Sequence, residues 1–483
     1  MVFQVSGRKR TARASRWGAL FCGMTLLFAL GCRIPPPKQD PPDGGELPDG
    51  GELPDGGELP DSGELPDGGE LPDGGELPDG GDVGQTATLV SPRPAQVEKF
   101  GAAVAVHGER VLIGAPGSAT SERLSSGAAY VFERGPEGGW GAGCPLIDSQ
   151  VSANATFGQA VAMAGEVIVI GAPFGKSEGS TTTGAASIFE RRGPGCDWVE
   201  RARLTPGEAG VGLFGTAVAT DGIRVAVGAF ETGSRKEGAV YVYSKQEGTW
   251  TLEATLFASD RVASAHFGIS VALSGDTLLI GADADGTQGD AAGAAYVFVF
   301  KDGRWSEQAK LLASQGDEFD FFGSSVALHQ ETAVVGAQLD EDKAGTRSPG
   351  AVYVYSRSGE RWLEQARLVP GGEPSAGAFG ISVALVGDTL VAGAYQDADK
   401  GRNAGALYVF QRAGGAWNEG TKLYREGASA EEEFGYQVAL SGTGLLVGGA
   451  PGVDAPAANA GAVSLSRFPL VPSVRTPTWS GPP

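Results

Sequence analysis

Acidic side chains are the residues of this chain whose types and spacing could do chemistry. Asp283 and Asp285 stand two residues apart beside Gly286, and Asp290 follows closely. Carboxylates at this spacing next to a glycine can wrap a hard cation, because calcium prefers oxygen ligands. The segment therefore predicts a Ca²⁺ site, while a solvated acidic loop without a ligand is the plainer interpretation.

Motifs for catalysis are sparse in comparison. The histidines His107, His266 and His329 are far apart in the sequence, which contains no nucleophile elbow, no metal-binding histidine spacing and no phosphate loop. Acidic pairs are plentiful, but nothing selects one pair as a glycosidase site. We therefore expect no catalytic residues and no enzyme, and the alternative is a polysaccharide hydrolase or lyase that uses carboxylates.

A sevenfold repeat must position these side chains. Phe-Gly pairs recur 53 to 57 residues apart, and each is followed about 13 residues later by a second glycine. The pairs are Phe100-Gly101, Phe157-Gly158, Phe214-Gly215, Phe267-Gly268, Phe322-Gly323, Phe379-Gly380 and Phe434-Gly435. Units this short cannot bury a core of their own, so they must stack as a solenoid, a propeller or an array.

Each unit reads as four short β-strands separated by Gly/Asp turns, with no helical period. In six units a tryptophan stands six residues before a leucine: Trp140/Leu146, Trp198/Leu204, Trp250/Leu256, Trp305/Leu311, Trp362/Leu368 and Trp417/Leu423. The first such strand, 87–89, lacks the tryptophan, and the last unit stops without this strand. The sequence thus predicts an all-β fold, a seven-bladed β-propeller of four-stranded antiparallel blades that is closed by the N-terminal strand.

These residues resemble FG-GAP repeats, the units of the integrin α-subunit propeller and of many bacterial surface proteins. The Gly-Ala element stands at Gly114-Ala115, Gly171-Ala172, Gly228-Ala229, Gly281-Ala282, Gly336-Ala337, Gly393-Ala394 and Gly449-Ala450. The resemblance implies a propeller with a binding or adhesive role. In that family calcium lies in a loop between the first two strands, and we expect a two-residue turn there in every unit. The family's calcium sites are therefore not expected in this chain.

Two classes of acidic loop should share one end of the blades. In an antiparallel blade, the connection before the first strand and the connection between the second and third strands lie at the same end. Their acidic residues are Asp317, Glu318, Asp320, Asp340, Glu341, Asp342, Asp397, Asp399, Glu431, Glu432 and Glu433. We expect an acidic loop face that binds a protein or carbohydrate ligand through a cationic or calcium-bridged contact. A passive envelope scaffold is the remaining alternative.

The N-terminal residues read as an export segment and a tether. A basic stretch precedes a short apolar run that ends at Cys32, and this resembles the lipobox of bacterial lipoproteins, in which the cysteine is lipidated. An ordinary signal peptide is the alternative. Six copies of Glu-Leu-Pro-Asp follow, and this composition forms no apolar face. We expect a lipoprotein signal peptide at 1–31, a disordered acidic Pro/Gly-rich tether at 32–84, the propeller at 85–468 and a C-terminal tail at 469–483.

Charge and cysteine content narrow the partners and the compartment. The net charge of −21 argues against nucleic acid and against direct docking on anionic lipid. Cys144 and Cys196 could pair in an oxidising compartment. We expect an exported monomer whose membrane contact is the lipid anchor on Cys32, at the bacterial outer membrane or the cell surface.

Overall fold

The structure is a computed structural model of the chain. It describes residues 85–119, 125–150, 152–175, 184–206, 211–341, 349–371, 377–454 and 456–470. The predicted signal peptide, the predicted tether, Cys32 and Asp342 lie outside these ranges. Within them, no helix has the length and apolar character needed to cross a membrane.

The described residues form β-strands joined by turns and loops. In chain order the strands are β1 (Gln85–Val90), β2 (Ala103–His107), β3 (Arg110–Ala115), β4 (Ala128–Glu133), β5 (Cys144–Leu146), β6 (Ala160–Ala164), β7 (Val167–Ala172), β8 (Ala185–Arg191), β9 (Trp198–Leu204), β10 (Val218–Thr220), β11 (Arg224–Ala229), β12 (Ala239–Gln246), β13 (Thr249–Leu256), β14 (Ser270–Ser274), β15 (Thr277–Ala282), β16 (Ala294–Lys301), β17 (Arg304–Leu311), β18 (Phe322–His329), β19 (Thr332–Ala337), β20 (Ala351–Ser358), β21 (Arg361–Leu368), β22 (Val383–Val386), β23 (Thr389–Ala394), β24 (Ala406–Ala413), β25 (Ala416–Leu423), β26 (Val438–Leu440), β27 (Leu445–Ala450) and β28 (Ala462–Arg467).

The strands form seven antiparallel sheets of four strands each, which are the blades. Blade 1 contains β2 to β5, and blades 2 to 6 take the following strands four at a time. Blade 7 contains β26, β27 and β28, and its fourth strand is β1. The pairing of β1 with β28 sets Thr88 opposite Ser464 and Leu89 opposite Val463. Closure of the last blade by the N-terminal strand is therefore confirmed.

The first strands of the blades form the inside of the ring. Each contacts the first strand of the next blade, from β2 and β6 onward, and β26 of blade 7 contacts β2 of blade 1. The contacts between fourth strands of neighbouring blades are fewer, as expected where blades diverge outward. The predicted seven-bladed, all-β propeller is confirmed.

The two repeated glycines explain the sequence period. The glycine of every Phe-Gly pair has a φ between 85° and 97°, a region that side chains disfavour. The glycine of the Gly-Ala element packs against the next blade: a Cβ on Gly336 would approach the Gly380 carbonyl more closely than the 3.0 Å that real Cβ atoms keep. The same overlap would set Gly449 against Gly101 of blade 1. This glycine contact therefore runs around the whole ring.

Apolar side chains of adjacent blades share one core. Phe267 is fully buried, with its ring centroid 5.3 Å from that of Tyr296 in the same blade. The surrounding cluster includes Val240 and Leu256 of blade 3. The second strands are almost entirely buried, as β15 is along its whole length, because both faces of a blade pack against its neighbours. No blade completes its core alone.

Tryptophans of the fourth strands join neighbouring blades. The indole N–H of Trp250 donates to Glu190 of blade 2 (3.0 Å), and that of Trp305 donates to Glu253 of blade 3 (3.0 Å). These contacts place both tryptophans between neighbouring blades.

The turn between the first and second strands is longer in two blades than the sequence predicted. Five blades have the expected two-residue turn, such as Gly275-Asp276 between β14 and β15. Blade 3 uses residues 221–223, and blade 7 uses residues 441–444. Asp221 stabilises the former by accepting the N–H groups of Ile223 (2.8 Å) and Arg224 (2.7 Å). The expectation of a two-residue turn in every unit was therefore wrong.

Candidate functional site

Two loops meet at one end of each blade. We term them the lead-in loop, which precedes the first strand, and the 2–3 loop, which joins the second and third strands. In blade 5 they are residues 312–321 and 338–350. The N–H of Leu339 donates to the carbonyl of Asp320 (3.3 Å), and blades 1 and 7 make the equivalent bond between the two loops. Together these loops form the loop face of the ring.

In blades 4, 5 and 6, a buried aspartate of the 2–3 loop binds a tyrosine of the third strand and a cation of the fourth strand. The three sets are Asp285–Tyr296–Lys310, Asp340–Tyr353–Arg367 and Asp397–Tyr408–Lys422. In blade 6 the carboxylate lies 2.8 Å from the tyrosine hydroxyl and 2.7 Å from the lysine Nζ. The aspartates are 0%, 1% and 0% exposed. They fasten the 2–3 loop to the outer strand of the same blade.

Burial and ion pairing shift the pKa values of Asp285 and Lys422 in opposite directions. Burial alone would raise the pKa of Asp285, but hydrogen bonds from Thr287 and Lys310 lower it. Burial alone would lower the pKa of Lys422, but its bonds to Asp397 and Asp399 raise it. Asp285 and Lys422 therefore stay charged through the neutral range, each as one half of an internal ion pair.

Blades 1 and 7 fill the same place with a glutamate of the lead-in loop, two residues before the Phe-Gly pair. Glu98 accepts a hydrogen bond from the hydroxyl of Ser118 (2.7 Å), and Ser118 occupies the position that Asp340 has in blade 5. Glu432 accepts a hydrogen bond from Arg425 Nε (2.7 Å). Blades 1, 4, 6 and 7 therefore each have one buried carboxylate at these two loop positions.

Blade 5 is different because it has a buried acid at both positions. Asp320 and Asp340 are each 1% exposed. Asp320 Oδ2 accepts the N–H of Asp317 (2.7 Å), whereas Oδ1 has no hydrogen-bond partner among the described residues. Burial raises the pKa of Asp320 to about 7, and the charges of Asp340, Asp317 and Glu341 add to this increase. Asp320 is thus a carboxyl group that titrates near neutral pH.

Phe319 lies next to this pair on the surface. Its side chain is 53% exposed, and its φ of 68° is uncommon for a bulky residue. Its N–H donates to the carbonyl of Asp290 in blade 4 (2.8 Å), which fixes the backbone. Asp317, Glu318 and Glu341 are exposed in the same two loops. We term Asp317, Glu318, Phe319 and Glu341 the blade-5 patch.

The other predicted loop-face acids of blades 6 and 7 lie near basic side chains. Besides Glu432, the pairs are Asp399 with Lys422, Glu431 with Arg402 and Glu433 with Lys99. Burial raises the pKa of Glu433, and the charge of Lys99 opposes this increase. Among the residues that the structure describes, the exposed negative charge of the face is thus least compensated in blade 5.

The residues of the predicted calcium site turn to different partners. Asp285 belongs to the buried set of blade 4, and Asp283 Oδ1 lies 2.9 Å from His266 Nδ1. Asp290 is exposed. In the ranges that the structure describes, no group of three His, Cys, Asp or Glu side chains could hold a metal ion together. Calcium binding stays a prediction.

The histidines occupy separate places. His107 and His329 end the first strands β2 and β18, at the opposite end of their blades from the loop face. Burial lowers the pKa of His329. His266 lies on the loop face, where its ring packs edge-on against Phe230 with centroids 5.0 Å apart.

A disulfide joins blade 1 to blade 2. Cys144 on β5 is bonded to Cys196, in the turn between β8 and β9, with Cα atoms 5.5 Å apart, within the usual range for a disulfide. The bond links the outer edges of two blades and is remote in sequence from the acidic sets.

Sequence reasoning missed the partners of the buried acids. It singled out Asp285, Asp340 and Asp397 but not their tyrosines, their cations or Phe319. The sequence did contain a signal. An aspartate stands three residues after the Gly-Ala alanine in blades 4 to 6, and in the same blades a Lys or Arg directly precedes the leucine of the Trp/Leu pair. No other blade has both residues. This co-occurrence indicates an ion pair between the 2–3 loop and the fourth strand.

The fold and its loops define a closed seven-bladed propeller with internal ion pairs beneath its loop face. The family model for the FG-GAP repeat matches residues 83–132, 140–189, 198–243, 250–298, 305–355, 362–410 and 417–465. The chain belongs to the FG-GAP repeat family. Propellers of these repeats are typically non-catalytic binding modules, and the fold is compatible with binding or adhesion. No protein with a curated description matches the chain.

Proposed function

We propose that this protein is a binding module that holds a partner on its loop face, with the blade-5 patch at the centre of the contact. The observation that carries the proposal is Phe319, whose side chain is 53% exposed among carboxylates. Its positive φ is shared by the equivalent lead-in residues Val97, Ser264 and Glu431, so the exposed aromatic side chain, and not the backbone, distinguishes this blade. An aromatic side chain among acidic groups suits a partner with cationic side chains, through carboxylate pairing and cation–π contact.

Charge compensation supports this choice within the loop face. In blades 4 and 6 the buried aspartate has its own lysine, and Glu432 of blade 7 is paired with Arg425. In blade 5 the cation Arg367 binds Asp340, while Asp317, Glu318 and Glu341 remain exposed. A partner that brings positive charge would pair with these three exposed carboxylates.

Protein and glycan arrays incubated with the detergent-solubilised full chain should identify the partner class, and a hexa-arginine peptide tests the charge requirement directly. We expect the peptide to bind and a hexa-glutamate peptide not to bind. Phe319→Ala and the double variant Asp317→Asn/Glu318→Gln should each weaken peptide binding about tenfold, since interface anchors contribute 1–2 kcal/mol or more.

Matched controls lie at the other end of the blades. Ile223→Ala removes a side chain that is 68% exposed in a turn between first and second strands, and Asp302→Asn removes an exposed acid between β16 and β17. Both should leave binding unchanged. Equal binding by the blade-5 variants and the wild type would contradict the proposal. Retention of binding in a chelator would exclude a calcium-bridged contact.

We also propose that lipidated Cys32 anchors the protein at the outer membrane or cell surface and that residues 32–84 extend the propeller from it. The support is the lipobox-like sequence and the proline-rich acidic composition of the segment. Cells fed labelled palmitate should label the wild type and Cys22→Ser but not Cys32→Ser. Labelling of the Cys32→Ser variant would refute the anchor.

A further inference from the structure

Two equivalent positions of the loop face, two residues before each Phe-Gly pair and three residues after each Gly-Ala alanine, follow a rule that one blade breaks. The buried Asp148 of blade 2, which pairs with Arg203, lies at neither position. Blades 4 and 6 have the acid on the 2–3 loop and a small residue, Ala265 or Gly377, at the lead-in position. Blades 1 and 7 have the acid on the lead-in loop and Ser118 or Val453 on the 2–3 loop. Blade 5 has both acids. Blade 5 therefore buries two carboxyl groups at these positions, whereas blades 1, 4, 6 and 7 each bury one.

The described hydrogen-bond donors inside blade 5 satisfy only one of its two buried carboxyl groups. Arg367 and the hydroxyl of Tyr353 both bind Asp340, the latter at 2.6 Å. Asp320 receives one backbone N–H, and its Oδ1 has no hydrogen-bond partner among the described residues. A buried acceptor without a partner is costly, and protonation removes that cost by neutralising the group.

The charged groups that the structure describes around Asp320 are predominantly acidic. Asp317 faces it from its own loop, and Asp340 and Glu341 face it from the 2–3 loop. The cation in this group is Arg367 of β21, which binds Asp340 through its side chain and the Glu341 carbonyl through Nη2 (3.1 Å). Both burial and like charges therefore favour the neutral form of Asp320.

We propose that Asp320 and Asp340 form a proton switch that controls the lead-in loop of blade 5. At mildly acidic pH the pair holds one proton, Asp320 is neutral, and the loop packs as in the structure. As the pH rises through neutrality this proton passes to solvent, and two buried carboxylates then repel each other beside Arg367. The loop loosens, and with it Phe319. The use of this switch in partner binding rests on the proposed function, whereas the switch itself does not.

Three backbone hydrogen bonds report on the switch. The N–H of Phe319 donates to Asp290 (2.8 Å), that of Phe321 donates to Ala291 (3.1 Å), and that of Leu339 donates to Asp320 (3.3 Å). In blade 1, the equivalent lead-in bonds are those of Val97 to Ala458 (2.9 Å) and Lys99 to Asn459 (3.1 Å). The blade-1 loop contains Glu98, whose carboxylate has hydroxyl partners, so its amides serve as an internal reference.

Amide hydrogen exchange of the full chain without any partner, at pH 5.5 and 8.5 and corrected for the intrinsic exchange rate, tests the proposal. We expect protection of the Phe319, Phe321 and Leu339 amides to fall at least about tenfold at pH 8.5. The Val97 and Lys99 amides should not change. In Asp320→Asn, all of these amides should keep their protection at both pH values, because the amide side chain never ionises.

Several results would overturn the switch. They are unchanged protection of the blade-5 amides in the wild type, an equal loss in blade 1, or a persistent pH effect in Asp320→Asn. Should that variant fail to fold, carboxyl NMR of the wild type decides: an aspartate carboxyl that titrates near pH 7 supports the proposal, and its absence refutes it. Because no partner is used, failure of the proposed binding function would leave these results intact.

Discussion

The inner ring and the loop face of this propeller are built by opposite strategies. The inner ring uses the same two glycines and one phenylalanine in every blade, and each glycine contact excludes even a methyl group. The loop face uses aspartate sets in blades 4 to 6 and glutamates in blades 1 and 7. Close packing leaves the ring no alternative residues, so the differences among blades are confined to the loops, where a binding module can specialise.

The largest effect is expected from breaking the inner ring. Gly336→Ala places a Cβ against the Gly380 carbonyl, and neither backbone can move without disturbing the neighbouring blade. We expect a loss of more than about 4 kcal/mol of unfolding free energy, or no folded protein, measured by chemical denaturation. Gly286→Ala is the control, because its Cβ would have its nearest neighbour at 3.8 Å. Equal tolerance of both changes would contradict the close contact.

Removal of the disulfide should have the next largest effect. The Cys144→Ser/Cys196→Ser variant loses a link across a sequence separation of 52 residues, and the entropy of the unfolded chain rises accordingly. We expect a loss of about 3–4 kcal/mol. In reductant, the unfolding free energy of the wild type should fall by a similar amount. That of the double variant should not change in reductant. An unchanged wild-type midpoint in reductant would show that the bond contributes no stability.

A comparison within blade 6 separates buried from exposed acids. Asp397→Asn leaves Lys422 partly buried without its inner carboxylate, and we expect a loss of about 2–3 kcal/mol. Asp399→Asn removes an exposed partner of the same lysine, and we expect less than about 1 kcal/mol. Thermal or chemical denaturation of the two variants measures both. A larger loss for Asp399→Asn would reverse the assignment of the structural acid.

The smallest expected effect has the opposite sign. The pKa of Asp320 is about 7 in the folded state against 3.8 for the ordinary side chain, so the wild type loses stability as the pH rises toward and above 7 and regains it as the pH falls toward 3.8. Asp320→Asn avoids this loss. We expect it to stabilise the protein by about 1–2 kcal/mol at pH 8.5 and by less at pH 5.5, measured by denaturant midpoints. Destabilisation at pH 8.5 would contradict the neutral carboxyl.

The sequence was sufficient for the architecture because the architecture depends on repeated local requirements. The Phe-Gly and Gly-Ala glycines, the Trp/Leu spacing and the missing tryptophan before Leu89 predicted seven blades and the closing strand. Turn lengths were less predictable. Blades 3 and 7 use a side-chain-supported turn instead of the tight one, and a short polar segment does not indicate which form it adopts.

The loop face was harder to predict because charge does not reveal burial. Asp340 and Glu341 are neighbours in the sequence, yet the first is 1% exposed and the second lies on the surface. What decides between them is whether a tyrosine and an arginine from strands elsewhere in the blade reach the carboxylate. Such contacts depend on the register of strands that are distant in sequence, so a local acidic pattern predicts a negative surface where the structure has internal ion pairs.

The offset between sequence units and blades affects how the chain is made. Each matched segment contributes one outer strand to the preceding blade and three strands to the following one. Thr86, near the start of β1, donates to the carbonyl of Leu465, which is 379 residues away. During synthesis β1 is among the first strands made and the last to find its partner. Until then β1 has no partner strand, and its unpaired backbone groups are a site where the growing chain could associate with other chains.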